Sequence, residues 1–256
     1  LARRRTVTAP ITVDGSYRLI VVTDASDQVF ERSAESNNSA VSAGTLAVTH
    51  PDLVVVTIPA IGQQQSGKDV TVQWTARNNG TGILTGAWVD RIYLSTDTVW
   101  SAADGLLGEF AQSGTLGLNA TYGGGGTVTL PNGISGVYYL LVVADAANQV
   151  LEAAGEGNNV LASNAIPIAL APYADLLVSN VTAQDQLIGD PVDLTVEWTV
   201  ENRGTGIGSV SEWIDRVVLS RDAIRGNGDD ILLGNFPHVG AVPIGGSYTA
   251  SQTILL

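Results

Sequence analysis

The strongest constraint on this chain is a long internal repeat. Residues 15–38 read GSYRLIVVTDASDQVFERSAESNN, and residues 136–159 read GVYYLLVVADAANQVLEAAGEGNN. Tyr17 recurs as Tyr138. At the same offset of about 121 residues, Asp24, Gln28, Glu31, Glu35, Asn37 and Asn38 recur as Asp145, Gln149, Glu152, Glu156, Asn158 and Asn159. Further along, Asp52 answers to Asp175, Trp74 to Trp198, Trp88 to Trp213, Asp90-Arg91 to Asp215-Arg216, and Leu106-Leu107-Gly108 to Leu232-Leu233-Gly234. The offset grows to about 126, so the length differences belong in loops. One unit is therefore about 120–125 residues, the size of one β-sandwich domain. On this reading residues 52–174 are a complete unit. Residues 1–51 are the C-terminal part of a preceding one, and residues 175–256 the N-terminal part of a following one.

The local pattern inside the unit is that of strands. Val70, Val72 and Trp74 alternate with polar neighbours, the period-2 signature of a half-buried strand. Leu53–Thr57, 88–95, 106–110 and 127–130 read as further strands. Tyr138–Ala144 is almost wholly apolar and is expected to be the most buried one. Asp145–Asn148 should turn it back into a strand over 149–152, and a last strand should run near 160–168. Residues 171–174 read as a short linker to the next unit. Asn78-Asn79-Gly80-Thr81-Gly82 is turn chemistry. No segment carries a helical period, and 29 glycines suit many short strands joined by turns. The expected fold is all-β, with antiparallel sandwiches in tandem.

These blocks resemble the CARDB family, the cell-adhesion-related domain found in bacteria. The matching text is DLVVVTIPA, VTVQWTARNNGTG, WVDRIYLSTD, DGLLGEF, LPNGISGVYYLLVVAD and NQVLEAAGEGNN, repeated downstream as DLLVSNVTA, LTVEWTVENRGTG, WIDRVVLSRD and DDILLGNF. The resemblance implies immunoglobulin-like β-sandwiches strung in series in large secreted or surface-attached proteins. It carries no catalytic residues with it.

Charge and composition narrow the partners. Formal net charge is −13, and Lys68 is the only lysine. Such a surface repels nucleic acid and anionic lipid. The single basic cluster, Arg3-Arg4-Arg5, aligns with Gly124–Gly126, so both are expected on a solvent-facing strand edge. With no cysteine there are no disulfides or thiolate sites. No signal peptide and no membrane-spanning apolar run is seen. There is no methionine, even at position 1, which gives the expectation of an excised or processed piece.

Several motifs are candidate sites. Gly62–Asp69, GQQQSGKD, approaches a phosphate-binding loop, but an aspartate replaces the Ser or Thr and a strand pattern follows where a helix is required. It reads as a loop between strands. The acidic loops Asp97–Asp104 and Asp222–Asp230 are candidate calcium sites, with Asp97, Asp104, Asp222, Asp229 and Asp230 as ligands. Calcium takes six to eight oxygens from such loops; the competing reading is that Asp and Asn shape turns through their own backbone. The recurring Asp145, Asn148 and Glu152 allow the same two readings. Asp90 shares a strand face with Trp88 and Ile92 and needs a hydrogen-bond partner if buried. His50 and His238 fit no catalytic or metal spacing. Trp100 has no tryptophan counterpart and is the candidate ligand contact.

These features predict a non-catalytic structural or adhesive repeat module, extracellular or on a bacterial surface, with no required cofactor and with calcium as the candidate ion. Its expected partners are further copies joined head to tail, and, as a second class, cell-surface or glycan ligands. Strand complementation between the terminal pieces would build a filament. Two different roles fit the same features: a carbohydrate- or host-surface-binding module, and an accessory region of a secreted enzyme.

Overall fold

The computed structural model describes residues 6, 8, 14–32, 35–153, 155–208 and 210–256. Arg3-Arg4-Arg5 lie outside the described residues. The chain forms two compact units, Leu1–Leu170 and Ala171–Leu256.

The first unit opens with two small antiparallel ladders. Strands β1 (Gly15–Tyr17) and β4 (Leu46–Val48) form one; β2 (Ile20–Val22) and β3 (Ser39–Val41) form the other. A single 3-10 turn, Glu35–Asn37, is the only helical element among the described residues.

The sandwich follows. Its strands are β5 (Leu53–Thr57), β6 (Gln64–Gln65), β7 (Asp69–Asn78), β8 (Leu84–Ser95), β9 (Gly105–Leu116), β10 (Thr121–Thr129), β11 (Gly136–Val143), β12 (Val160–Ala162) and β13 (Ile166–Ala169). One sheet has the order β10-β7-β5; the other runs β6-β13-β11-β8-β9, with β12 also on β11. Strand β7 alternates as its sequence predicts, sending Val70, Val72, Trp74, Ala76 and Asn78 inward. The four apolar ones, Val70, Val72, Trp74 and Ala76, meet Trp88, Ile92 and Leu94 of β8 and Leu140 and Val142 of β11 in one core. Leu140, Leu141 and Val142 are fully buried, so β11 is the interior strand its composition predicts. Its other face packs Leu141 and Val143 against Tyr93. A bulge between Ile92 and Tyr93 in the β8–β9 pairing absorbs one residue.

The second unit repeats the opening strands as β14 (Leu176–Ala183), β15 (Asp193–Asn202), β16 (Glu212–Leu219), β17 (Ile231–Val239) and β18 (Ser247–Leu255). They form the sheet β14-β15-β18 and the pair β16-β17. The β16–β17 bulge falls between Val217 and Val218, the counterparts of Ile92 and Tyr93. Residues 171–174, expected as a linker, pack on this unit because the Gly206 amide donates to the Tyr173 carbonyl at 2.8 Å.

Three local expectations are corrected. Residues 149–152 form no strand. The Asp145 carboxylate takes the amides of Gln149 and Val150, at 2.8 and 2.7 Å, that a ladder would need. The strands expected at 106–110 and 127–130 extend to Leu116 and back to Thr121, because Gly114 and Gly123–Gly126 are tolerated inside long pairings. And although β10 is a sheet edge, Gly124 and Gly126 do not simply face solvent. A Cβ at Gly124 would collide with the Trp74 indole, and one at Gly126 with the Phe110 ring. The missing side chains make room for two core aromatics, which meet edge to face at 5.5 Å.

Candidate functional site

The most elaborate polar feature lies in the sandwich core, around Asp90. Strand β8 must place every second residue inward, and one of these positions carries a carboxylate with no exposure. Trp74 Nε1 donates to its Oδ2 at 2.9 Å, and the Tyr122 hydroxyl to both oxygens at 2.9–3.0 Å. The Asp145 amide reaches Oδ1 at 3.2 Å. Trp88 Nε1 in turn donates to the Tyr122 oxygen at 3.0 Å. Burial pushes the Asp90 carboxyl above its ordinary range, while these donors pull it back. Burial, with the Asp90 charge behind it, also holds the Tyr122 phenol firmly protonated.

The second unit rebuilds this network. Trp198 Nε1 donates to Asp215 Oδ2 at 2.9 Å, Tyr248 to the same oxygen at 2.7 Å, and Trp213 to the Tyr248 oxygen at 3.3 Å. The Tyr248 phenol is pushed up to about 12, chiefly by burial. Here His238 is added, its ring stacking between Trp213 and Tyr248 at centroid distances of 4.3 and 3.9 Å. At Asp90, a carboxylate surrounded by fixed donors in the core is a structural tie between the two sheets; Asp215 is half-buried.

A second repeated tie is Asn78, also fully buried. Its Nδ2 donates to Gly82 and Leu116 carbonyls at 2.8 and 3.1 Å, and its Oδ1 accepts the Asp52 and Gly80 amides at 3.1 and 3.0 Å. Asn202 makes the same four bonds, to Gly206, Val242, Asp175 and Gly204. The glycines are required: a Cβ at Gly80 or Gly82 would strike the backbone of residues 49–52. The sequence shows a turn here but not the four-way staple.

The loop after β11 gathers the recurring acids. Asp145 and Asn148 adopt left-handed φ values of 46° and 49°. Asp145 is buried with both oxygens on the Gln149 and Val150 amides; burial raises its carboxyl and these bonds lower it. Glu152 is also buried, and its Oε1 accepts the Leu53 amide at 2.8 Å. Burial, followed by the nearby charges of Glu156 and Asp52, pushes the Glu152 carboxyl up to about 7. Glu152 and Asp52 converge on Gly155, where an added Cβ would overlap both carboxylates. Asp52 Oδ1 is buried there without a partner. Asn148 is exposed beyond the turn.

The two acidic loops are built as turns. Asp97 Oδ1 accepts the Val99 amide at 2.8 Å and Asp104 Oδ2 the Ser101 amide at 2.6 Å. Asp222 Oδ1 accepts the Ile224 amide at 2.7 Å, and Asp230 Oδ2 the Gly226 amide at 2.6 Å. Asp229 Oδ2 holds the Arg221 amide at 2.8 Å. Asn227 Oδ1 and Asp230 Oδ1 are the buried atoms left without a partner in these loops. Among the described residues, no group of three or more His, Cys, Asp or Glu side chains converges as a metal cluster. Trp100 is 45% exposed and rests edge to face on Tyr93 at 5.9 Å. The Gln64–Gln65 stretch of the phosphate-loop-like segment pairs in parallel with β13, and the Ser66, Gly67 and Lys68 amides donate to Ala169, Pro131 and Gln65 carbonyls. The amides a phosphate would need are in use, and a strand follows.

The sequence model of the CARDB family matches residues 50–163. This part of the chain is a CARDB domain. Among solved structures, the CARDB domain of a Pyrococcus furiosus protein, crystallised in complex with di-metal ions, is 20% identical. It aligns over 49% of this chain and 100% of its own, with a TM-score of 0.37. A solution NMR structure of the same domain gives 20% identity, 48% and 100% coverage and a TM-score of 0.36. Red sea bream transglutaminase aligns over 81% of this chain and 27% of its own, at 14% identity and a TM-score of 0.27. No curated protein matches. Beyond the CARDB domain, the second unit carries the same tryptophan–aspartate–tyrosine and asparagine ties. Among the described residues no helix is long and apolar enough to cross a membrane.

Proposed function

We propose that this chain is a non-catalytic spacing and adhesive module of an extracellular bacterial protein, built from sandwiches in series. The observation that carries this reading is the use made of the buried polar groups. Asp90, Asn78 and Asp145 each tie strands or turns together, and the first two ties recur in the second unit as Asp215 and Asn202. Side chains that hold two sheets together at the same places in successive units resist separation of those sheets under load. A strongly acidic, lysine-poor surface suits a soluble stalk. The family's association with bacterial cell adhesion points the same way.

Single-molecule extension of the full chain tests this. The central sandwich, residues 52–170, should unfold in one discrete step that releases roughly 400 Å of chain, at about 3.3–3.6 Å per residue. Gradual extension without such a step would count against a load-bearing role. A second reading, a glycan- or host-surface-binding module, is favoured by the exposed Trp100 alone. Glycan binding that Trp100→Ala abolishes would select it.

A further inference from the structure

The chain enters the central sandwich in one sheet and soon crosses to the other. Strand β5 pairs with β7, whereas β6, the next strand, pairs with β13 in the opposite sheet. The β6–β13 ladder is the one parallel pairing among the described residues, with Gln64 and Gln65 facing Ile168 and Ala169. The bonded patch reaches beyond those residues. Ahead of them, the Ile61 amide donates to Asn164 Oδ1 at 2.8 Å, and Asn164 Nδ2 donates back to the Ile61 carbonyl at 2.9 Å. After them, the Ser66 amide donates to the Ala169 carbonyl at 2.9 Å. Both sides are anchored: Ile58 and Ile61 pack on the core, and Ile166 and Ile168 of β13 are buried within it.

Direction decides what such a patch does. Load along the polypeptide enters the sandwich ahead of β5 and leaves it after β13. It draws β6 toward its N-terminal end and β13 toward its C-terminal end. The two strands run the same way, so these pulls are opposed and lie along the strands. The strands are sheared past one another, and the bonds of the patch are strained together. A hairpin pulled open at its free ends would instead lose its bonds one after another. Strand β5 passes its share to β7 and the body of the sandwich. At β6–β13 the entering and leaving strands bear directly on each other. The ties around Asp90 join β7, β8 and β10, which lie between these two strands in the chain.

We propose that the β6–β13 patch, closed by the Asn164 side chain, sets the resistance of the central sandwich to a pull between its two ends. The phosphate-loop-like segment at Gly62–Asp69 thereby has a use: its backbone amides fasten the entering strand to the leaving one. Asn164 is a positioning residue in this patch, holding Ile61 in register with the strand ahead of β13. This inference rests on the spacing role and deepens it by naming where the load is held.

Constant-force extension of the 256-residue chain tests it, read as the lifetime of the central sandwich before its unfolding step. Asn164→Ala removes both bonds to Ile61 at an exposed position, so the variant keeps its fold. If those bonds part at the unfolding barrier, their loss should shorten the lifetime roughly tenfold. Gly126→Val disturbs the Phe110 ring beside β10, outside the patch. A site still native at the barrier changes folding rather than unfolding, so this lifetime should stay within about twofold of wild type while the melting midpoint falls. Glu109→Ala, exposed and cut from Arg91, is a second control with an intact core and should also keep the wild-type lifetime. An unchanged lifetime in Asn164→Ala overturns the proposal. So does an equal shortening in all three variants, which would make the barrier global. Either result, obtained with a single full-length step, leaves the spacing role standing; gradual extension without a step removes both.

Discussion

Replacing Glu152 by Gln should make this protein more stable at alkaline pH and change how its stability depends on pH. The side chain is 2% exposed, accepts the Leu53 amide, and faces Asp52 and Glu156. Its carboxyl ionises near 7 in the folded chain, against 4.5 when free. An acid whose folded value is raised favours folding only while protonated. The unfolded chain releases its proton from pH 4.5 upward, whereas the folded chain retains it until about 7. Native stability therefore falls across that window and levels off above it. At about 1.4 kcal/mol per unit, the loss is about 3 kcal/mol, most of it between pH 5 and 8. Glutamine keeps the Oε1 acceptor and cannot ionise. Urea unfolding of variant and wild type at pH 5 and pH 8 isolates the effect, because other groups titrate alike in both. The stability difference, variant minus wild type, should rise by roughly 2–3 kcal/mol from pH 5 to pH 8. A difference that is the same at both values would mean that the carboxylate is ionised in the fold throughout, and that burial does not control it.

Asn78→Ala removes four hydrogen bonds and strands buried amides and carbonyls, so it should cost about 3 kcal/mol or more in chemical unfolding. Gly126→Val drives a side chain into the Phe110 ring and should destabilise by about 1–3 kcal/mol, read as a lowered melting midpoint. Chelator should leave that midpoint unchanged, since the Asp97, Asp104, Asp222 and Asp230 carboxylates already hold backbone amides. A calcium-dependent rise that Asp230→Asn removes would instead put an ion on the orphaned oxygens of Asn227 and Asp230.

What the sequence determined by itself was whatever depends on local period and on repetition. Alternation in β7 and β15 settles which side chains turn inward, because successive Cβ atoms point to opposite faces. The apolar run at 138–144 marks the strand covered on both faces. The spacing of Asp90 from Trp88 and Ile92 put a carboxylate on their strand face, where it needs a partner if that face is buried. It could not say which partner, because Trp74, Tyr122 and the Asp145 amide come from three separate places in the chain and meet only when the sheets stack. The inward role of Gly124 and Gly126 was hidden for the same reason. A glycine records no direction, and only the opposing Trp74 and Phe110 rings reveal the space it leaves. The raised Glu152 carboxyl likewise arises from desolvation and from charges distant in sequence, a sum over neighbours that tertiary packing alone assembles.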